Sequence, residues 1–218
     1  PMHDLFITAT DTDVGKTWVT AALARTLVAA GKRVGVYKPV ASGCALNPCG
    51  QPVSDDAQAL WHAAGRPLSL DDVCPQRFIA PLAPPLAAAE EGLAVNEELL
   101  VAGFEPWRAA SDIVLVEGTG GLLSPLSANL NSLDLARALD LPLLVVAANR
   151  VGVMHQVLAL LHAARALAPE VAIAGIVLNH PKPRDERRDP SQRSNRAELE
   201  KLLRRQGWDL PLNELEHG

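Results

Sequence analysis

An apolar run at residues 5–9 passes directly into Thr10-Asp11-Thr12-Asp13-Val14-Gly15-Lys16-Thr17, and a helical pattern begins at Lys16. No other feature constrains the fold of this chain as much as this order of strand, tight turn and helix. Consecutive backbone N–H groups in such a turn converge with the positive end of the following helix dipole, and together they make a seat for phosphate oxygens. Lys16 is then placed to reach the β and γ phosphates of a nucleotide, and the Thr17 hydroxyl to ligate magnesium. Thr10 stands where the usual pattern has a glycine, five residues before Gly15. The alternative is a plain strand-to-helix turn capped by Asp or Thr, and the Gly15-Lys16-Thr17 string argues against it.

Further apolar, mostly β-branched runs at 33–37, 113–117, 143–147 and 173–178 alternate with helical patterns at 16–30, 96–105, 132–139 and 153–168. This alternation predicts an α/β fold with a mostly parallel central sheet flanked by helices. The full length, 218 residues, suits a single domain over 1–218. Aromatic residues make up only 4% of the chain, which fits buried aliphatic strands better than an aromatic-cored sandwich. Pro81, Pro84 and Pro85 mark 77–86 as an irregular connection and a candidate pocket wall, whereas 192–206 reads as a charged helix.

A formal charge of −5 offers no global attraction for nucleic acid or an anionic membrane and favours small-molecule partners. Cys44, Cys49 and Cys74 form no CxxC pair, which predicts reduced thiols rather than a disulfide framework or zinc site. Pro1-Met2-His3-Asp4 carries no basic n-region or apolar h-region, and no apolar run reaches the roughly 20 residues that span a bilayer. The expectation is a cytoplasmic protein. His155 and His162 fall on one face of the 153–168 helix but lack a third ligand, so they read as packing or surface histidines.

Two carboxylates are candidates to complete a magnesium site, since this ion takes oxygen ligands from one or two acids plus phosphate. Glu117 ends the run Ile113-Val114-Leu115-Val116, where the C-terminal edge of a parallel strand faces the ligand crevice. Asp56 is the second, although Asp55-Asp56 equally suits the start of a helix. Lys38, after the second strand, lies at the same sheet edge and is either a cation for phosphoryl transfer or a surface lysine. Gly118-Thr119-Gly120-Gly121 allows close backbone approach to a ligand.

These segments, in this order, resemble the dethiobiotin synthetases: Thr10 to Thr17, then Tyr37-Lys38-Pro39-Val40-Ala41-Ser42-Gly43, then Val116-Glu117-Gly118-Thr119-Gly120-Gly121. The likeness extends through Asp55-Asp56-Ala57 and residues 141–155 to Asn179. It implies a P-loop fold and a homodimer that uses ATP, magnesium, carbon dioxide and 7,8-diaminopelargonic acid, with the substrate at the subunit interface. It further implies that Lys16 and Lys38 neutralise phosphate and carbamate charge while Thr12 and Ser42 bind the reacting end of the substrate. Thr17, Asp56 and Glu117 would surround magnesium, and Asp13, Val14, Gly15 and Trp18 would contact the nucleotide. Gly118, Thr119, Gly120 and Gly121 would lie along the substrate, Gly152 and Val153 of the partner subunit would cap its carboxylate, and Asn179 would read adenine, with Pro211 as a second adenine contact by order alone.

The chain departs from the family at Ala9, where glycine is frequent, and in a shortened Asn149-Arg150-Val151-Gly152-Val153-Met154-His155 segment. It resembles the partitioning-type nucleotide-switch ATPases only in part, because the loop lacks their early Lys-Gly-Gly lysine. The excess of Lys and Arg over 182–205 is the one feature in favour of that reading, and it lacks aromatics for base stacking. Another amide-forming ligase of the same fold is set apart by the Lys38 segment.

Overall fold

A computed structural model describes residues 3–216; Pro1 and Met2, which entered the reading of the N-terminus, lie outside them. In chain order the first half runs β1 (Leu5–Ala9), α1 (Lys16–Ala29), β2 (Val34–Tyr37), β3 (Val40–Ala41), β4 (Ala45–Leu46), β5 (Pro52–Val53), α2 (Asp55–Ala63), α3 (Leu70–Val73), β6 (Gln76–Arg77) and α4 (Pro84–Glu90). The second half runs α5 (Glu97–Ala102), α6 (Glu105–Ala110), β7 (Ile113–Glu117), α7 (Ser132–Ala138), β8 (Leu143–Ala148), α8 (Val153–Leu167), β9 (Ile173–Asn179), a 3₁₀ turn (Pro190–Arg193), α9 (Asn195–Arg205) and β10 (Leu212–Leu215).

The main sheet has six strands in the order β10-β9-β8-β1-β7-β2, every pair parallel. Both β2 and β7 are buried along their whole length, as strands covered on both faces must be, and this is why they read as unbroken apolar runs. The strand order turns about β1: β7 and β2 lie on one side, β8, β9 and β10 on the other. Ligands of such sheets bind beyond the carboxyl ends of the strands at that reversal. The turn after β1, Lys38 after β2 and Glu117 at the end of β7 all stand there.

The expected α/β architecture is therefore observed, and its departures are local. The pattern at 96–105 forms two helices, α5 and α6, rather than one. Gly103 marks the break, where an added Cβ would sit 2.4 Å from the Tyr37 hydroxyl oxygen. That hydroxyl lies 2.9 and 3.1 Å from the Leu99 and Leu100 carbonyls, adding to the Gly103 N–H that already reaches the Leu99 carbonyl at 3.0 Å. The chain resumes with Pro106 in the first turn of α6, where a missing N–H costs nothing.

Segment 77–86 is likewise less irregular than expected. Gln76–Arg77 pairs with β3, and Pro84 and Pro85 start α4 instead of breaking a helix. The pattern at 192–206 divides into the 3₁₀ turn and α9. β10 went unforeseen because its four residues, Leu-Asn-Glu-Leu, carry too little apolar pattern, and only pairing with β9 makes them a strand. Among the described residues no helix is long and apolar enough to cross a membrane.

Trp107 of α6 anchors the edge of the core below β2. It is fully buried, its indole N–H donates to the Asp72 carbonyl at 3.1 Å, and Gly35 leaves room for its ring: a Cβ there would approach Trp107 Cε3 to 3.2 Å. Trp107→Ala should therefore cost about 3–5 kcal/mol of stability, read as a lowered urea midpoint; a midpoint equal to that of the unsubstituted protein would show that the edge is not part of the cooperative core.

Candidate active site

The turn between β1 and α1 is held from both ends. The Thr10 N–H donates to the Val146 carbonyl at 2.9 Å, and the Val19 N–H reaches back to the Gly15 carbonyl at 3.0 Å. Gly15 has φ +84°, and a Cβ on it would lie 2.1 Å from Asn179 Nδ2. Both the backbone conformation and the close approach of Asn179 therefore demand glycine. Asp13 also has a positive φ, +57°, which a short polar side chain tolerates better than a branched one. Asn179 ends β9 and donates from Nδ2 to the Val14 carbonyl at 2.8 Å, leaving its Oδ1 buried and without a partner in the structure.

A buried ion cluster stands in front of this turn. Lys38 is 2% exposed and its Nζ lies 2.8 Å from Glu117 Oε1 and 3.0 Å from Asp56 Oδ2. The Thr17 hydroxyl donates to the same Glu117 oxygen at 2.8 Å. Burial by itself pulls the Lys38 ammonium down, but attraction to Glu117 and Asp56 and hydrogen bonds to both more than offset it, so its pKa is raised. Burial likewise opposes the Asp56 carboxylate, yet Lys38, Thr17 and Lys16 hold its pKa below the usual value. Lys16 has a lowered pKa, chiefly from desolvation, with the Lys38 charge acting in the same direction. The charged form of Lys38 is thus favoured by its two acids, whereas at Lys16 burial outweighs the attraction of Glu117, Asp56 and Asp13.

A cavity of about 750 Å³ opens beside the cluster and is lined by the phosphate turn, Lys38, Asp56 and both Thr119 and Gly120. Of the expected substrate residues, Thr12 and Ser42 also line it. The Thr119 hydroxyl donates to the Val40 carbonyl at 2.9 Å, which ties the glycine-rich turn to β3. Gly118 faces the core, where a Cβ would meet Phe6 and the Ser132 hydroxyl at 3.0 Å, and Gly121 borders a neighbouring groove. The segment from Pro81 to Pro84 is part of the wall, as the proline spacing suggested. Ser124 and Pro125 complete the lining; their only signal is a position shortly after the glycines.

Other expected residues lie apart from this cavity. Trp18, on the exposed side of α1, has the Arg25 guanidinium 5.5 Å from its ring centre. Gly152, exposed with φ +91°, and the fully buried Val153 start α8 across the phosphate turn. The expectation for Pro211 is corrected. Register sets Leu212 opposite Ile176 and Leu215 opposite Asn179, and the Pro211 carbonyl accepts the Ile176 N–H at 2.9 Å. At about 3.3 Å per residue, Pro211 is then more than three residues below the edge that Asn179 occupies; Leu215 and Glu216 are the residues of that strand near the edge.

The basic stretch 182–205 is largely neutralised by its own acids, in pairs such as Arg193–Glu186 at 2.6 Å and Lys201–Glu198 at 2.8 Å, and by Glu214 on β10, 2.6 Å from Arg184. Cys44, Cys49 and Cys74 are free thiols. His162 contacts Gln206 Oε1 at 2.7 Å and stacks edge-on against Trp208. Among the described residues the one group able to gather three metal-ligating side chains is His180, Glu214 and Glu216, where Arg184 already bridges both acids.

Comparison with known proteins agrees with this geometry. A family model described as an AAA domain matches residues 3–206. The ATP-dependent dethiobiotin synthetase of Rhodopirellula baltica is 44% identical over 204 residues, covering 89% of this chain and 78% of that protein. The ATP-dependent dethiobiotin synthetase of Anaeromyxobacter dehalogenans strain 2CP-C is also 44% identical, over 206 residues, covering 94% of this chain and 87% of the other. Among solved structures, a ParA family ATPase from Chlorobium tepidum superposes with a TM-score of 0.53 at 15% identity, over 99% of this chain and 84% of its own, a likeness of fold alone. A phosphate-binding turn backed by a buried Lys38–Glu117 pair, in a chain this similar to two such enzymes, belongs to the dethiobiotin synthetase family.

Proposed function

We propose that this chain is an ATP-dependent ligase that forms C–N bonds in biotin synthesis, closing 7,8-diaminopelargonic acid and carbon dioxide into the cyclic urea of dethiobiotin with release of ADP and phosphate. The observation that carries the reading is Lys38, a buried lysine held by two carboxylates beside Lys16 and Thr17. Here the second cation follows β2, whereas the switch ATPases carry theirs early in a Lys-Gly-Gly loop that this chain lacks. In the ligase reaction, one substrate amine adds to carbon dioxide and loses a proton to give a carbamate. A carbamate oxygen attacks the γ phosphorus and ADP leaves; the second amine then attacks the carbamate carbon and phosphate leaves.

Each step gathers negative charge near the γ phosphate, and fixed cations in a site of low dielectric stabilise it without reorganising. Lys16 fits the triphosphate, whose negative charge would offset the burial of its ammonium. Lys38, held by Glu117 and Asp56, would act electrostatically at the carbamate and the transferred phosphoryl group. Thr12 and Ser42, which both line the cavity, would hold the reacting amines, with Thr119 and Gly120 along the chain of the substrate, the Gly118 backbone behind them and Gly121 beside them. Asp13, Val14, Gly15, Thr17 and Trp18 form the nucleotide side, and the unpartnered Oδ1 of Asn179 suits the amino group of adenine.

Magnesium fits this donor set. Glu117 Oε2 is buried with no partner in the structure, next to the Thr17 hydroxyl and the Asp56 carboxylate, and all are hard oxygen donors. Thr17, Asp56 and Glu117 would hold the ion, which would neutralise phosphate charge. We further assign a homodimer in the cytoplasm, with residues 1–218 as one catalytic domain per subunit and Gly152 and Val153 of the partner subunit capping the substrate carboxylate. In support, a groove of about 690 Å³ adjoins the cavity through Asp11 and Thr12 and continues over Leu123 and His155 of α8. Leu123, in its lining, is exposed, as a surface awaiting a second copy would require.

Incubation with ATP, magnesium, labelled bicarbonate and diaminopelargonate should give labelled dethiobiotin, and omission of any one component should abolish it; turnover of ATP that is indifferent to the diamine would overturn the assignment. In the same assay Lys16→Ala should remove ring closure. Lys38→Ala should lower kcat by about 10²–10³ with a smaller change in the KM for ATP, and unchanged turnover in either variant would remove that lysine from the mechanism. Glu117→Gln should raise the magnesium concentration needed for half-maximal rate, whereas an unaltered magnesium titration would place the ion elsewhere.

A further inference from the structure

The loop from Asn149 to Gly152 has two sides. Outward, Arg150, Val151 and Gly152 are exposed, Val151 at 76%, and Gly152 starts the 15-residue helix α8 without any side-chain cap. Inward, the loop is fastened by a buried polar network that the reaction itself does not use. Asn149, 2% exposed, donates from its backbone to the Asn179 carbonyl at 2.8 Å. Its side-chain Nδ2 faces Glu214 Oε1 at 2.9 Å and the Gln192 carbonyl at 3.2 Å, with His180 Nε2 also at 3.2 Å.

Asn195, 1% exposed at the start of α9, closes the network from behind. Its Nδ2 donates to Asn149 Oδ1 at 2.8 Å and to the Arg150 carbonyl at 3.2 Å, with Ser191 Oγ at 3.1 Å. Asp189 reaches round the end of the segment, and its Oδ2 accepts the Val151 N–H at 2.8 Å. In front, the Arg150 guanidinium lies 3.4 Å from Asp11 in the phosphate turn. A segment with no residue in the cavity thus fixes the backbone of the loop at consecutive positions. Buried amides in such numbers are costly unless fully paired, and here they are spent on the orientation of one exposed turn.

We propose that Asn195, Asn149 and Asp189 are positioning residues that hold the Gly152–Val153 helix start in the geometry that receives the carboxylate of the substrate bound mainly to the other subunit. The proposal rests on the reading, given above, that this helix start caps that carboxylate. The Val151 and Val153 N–H groups are taken by Asp189 and by the Arg150 carbonyl, so the anchored turn is held in shape before the tail arrives and the anchors act on recognition of the tail and not on phosphoryl transfer. Asn149 also ties the loop to the end of β9 through Asn179 and His180.

Asn195→Asp keeps shape and volume but cannot donate to Asn149 Oδ1 or to the Arg150 carbonyl. Asp189→Ala, on a partly exposed carboxylate, removes the Val151 anchor with little risk to folding. Both are to be assayed at saturating ATP with diaminopelargonate and with the same diamine lacking the carboxyl group, below the melting temperature of each variant. The expected result is a wild-type preference for the carboxylated substrate that falls about tenfold in each variant, through KM, with kcat and the KM for ATP within about twofold. A wild-type preference left intact in both variants overturns the positioning role while leaving the capping assignment standing. No wild-type preference at all overturns the capping assignment, and the proposal with it. A loss of kcat with KM unchanged overturns the proposal in favour of a structural role at the catalytic end.

Discussion

Everything at the carboxyl edge of the sheet is organised around one ammonium. Lys38 stands between Glu117 on β7 and Asp56 on α2, and Thr17 of α1 shares the Glu117 oxygen. Removing Lys38 or Glu117 would leave the other's charge buried and unpaired, which is why breaking a buried pair costs far more than the pair itself contributes. The cluster therefore fixes the relative placement of four elements that are distant in sequence. It also leaves the site nearly neutral before substrates arrive, since Lys16 and Lys38 balance Asp56 and Glu117.

Fold and chemistry are separable in this molecule. The overall fold is shared with a ParA family ATPase at 15% identity, and a fold of this kind specifies no reaction by itself. What distinguishes this chain lies around the turn after β1: Lys38, the glycine-rich turn tied to β3 through Thr119, and the segment from Pro81 to Pro84. In the basic stretch that pointed to a polyanion partner, Arg184, Arg188, Arg193, Arg196 and Lys201 each face an acid. Exposed pairs of this kind contribute little stability.

The sequence by itself determined the parts governed by short-range rules. Periodicity and β-branching located β1, β2, β7, β8 and β9, because strands covered on both faces must be apolar throughout. Gly15-Lys16-Thr17 after a strand and before a helix located the phosphate turn, because only that backbone conformation converges N–H groups on an anion. Two things were decided by tertiary structure. Asp56 at the start of a helix could have been a mere helix-dipole residue, and Lys38 a surface lysine, until the parallel pairing of β2 with β7 brought Lys38 to Glu117. Likewise β10 exists only through its register with β9, and that register carries Pro211 away from the edge where order alone had put it. Local pattern records which backbone a residue prefers, whereas charge pairing and register depend on which distant strand lies alongside, and that is settled only when the sheet assembles.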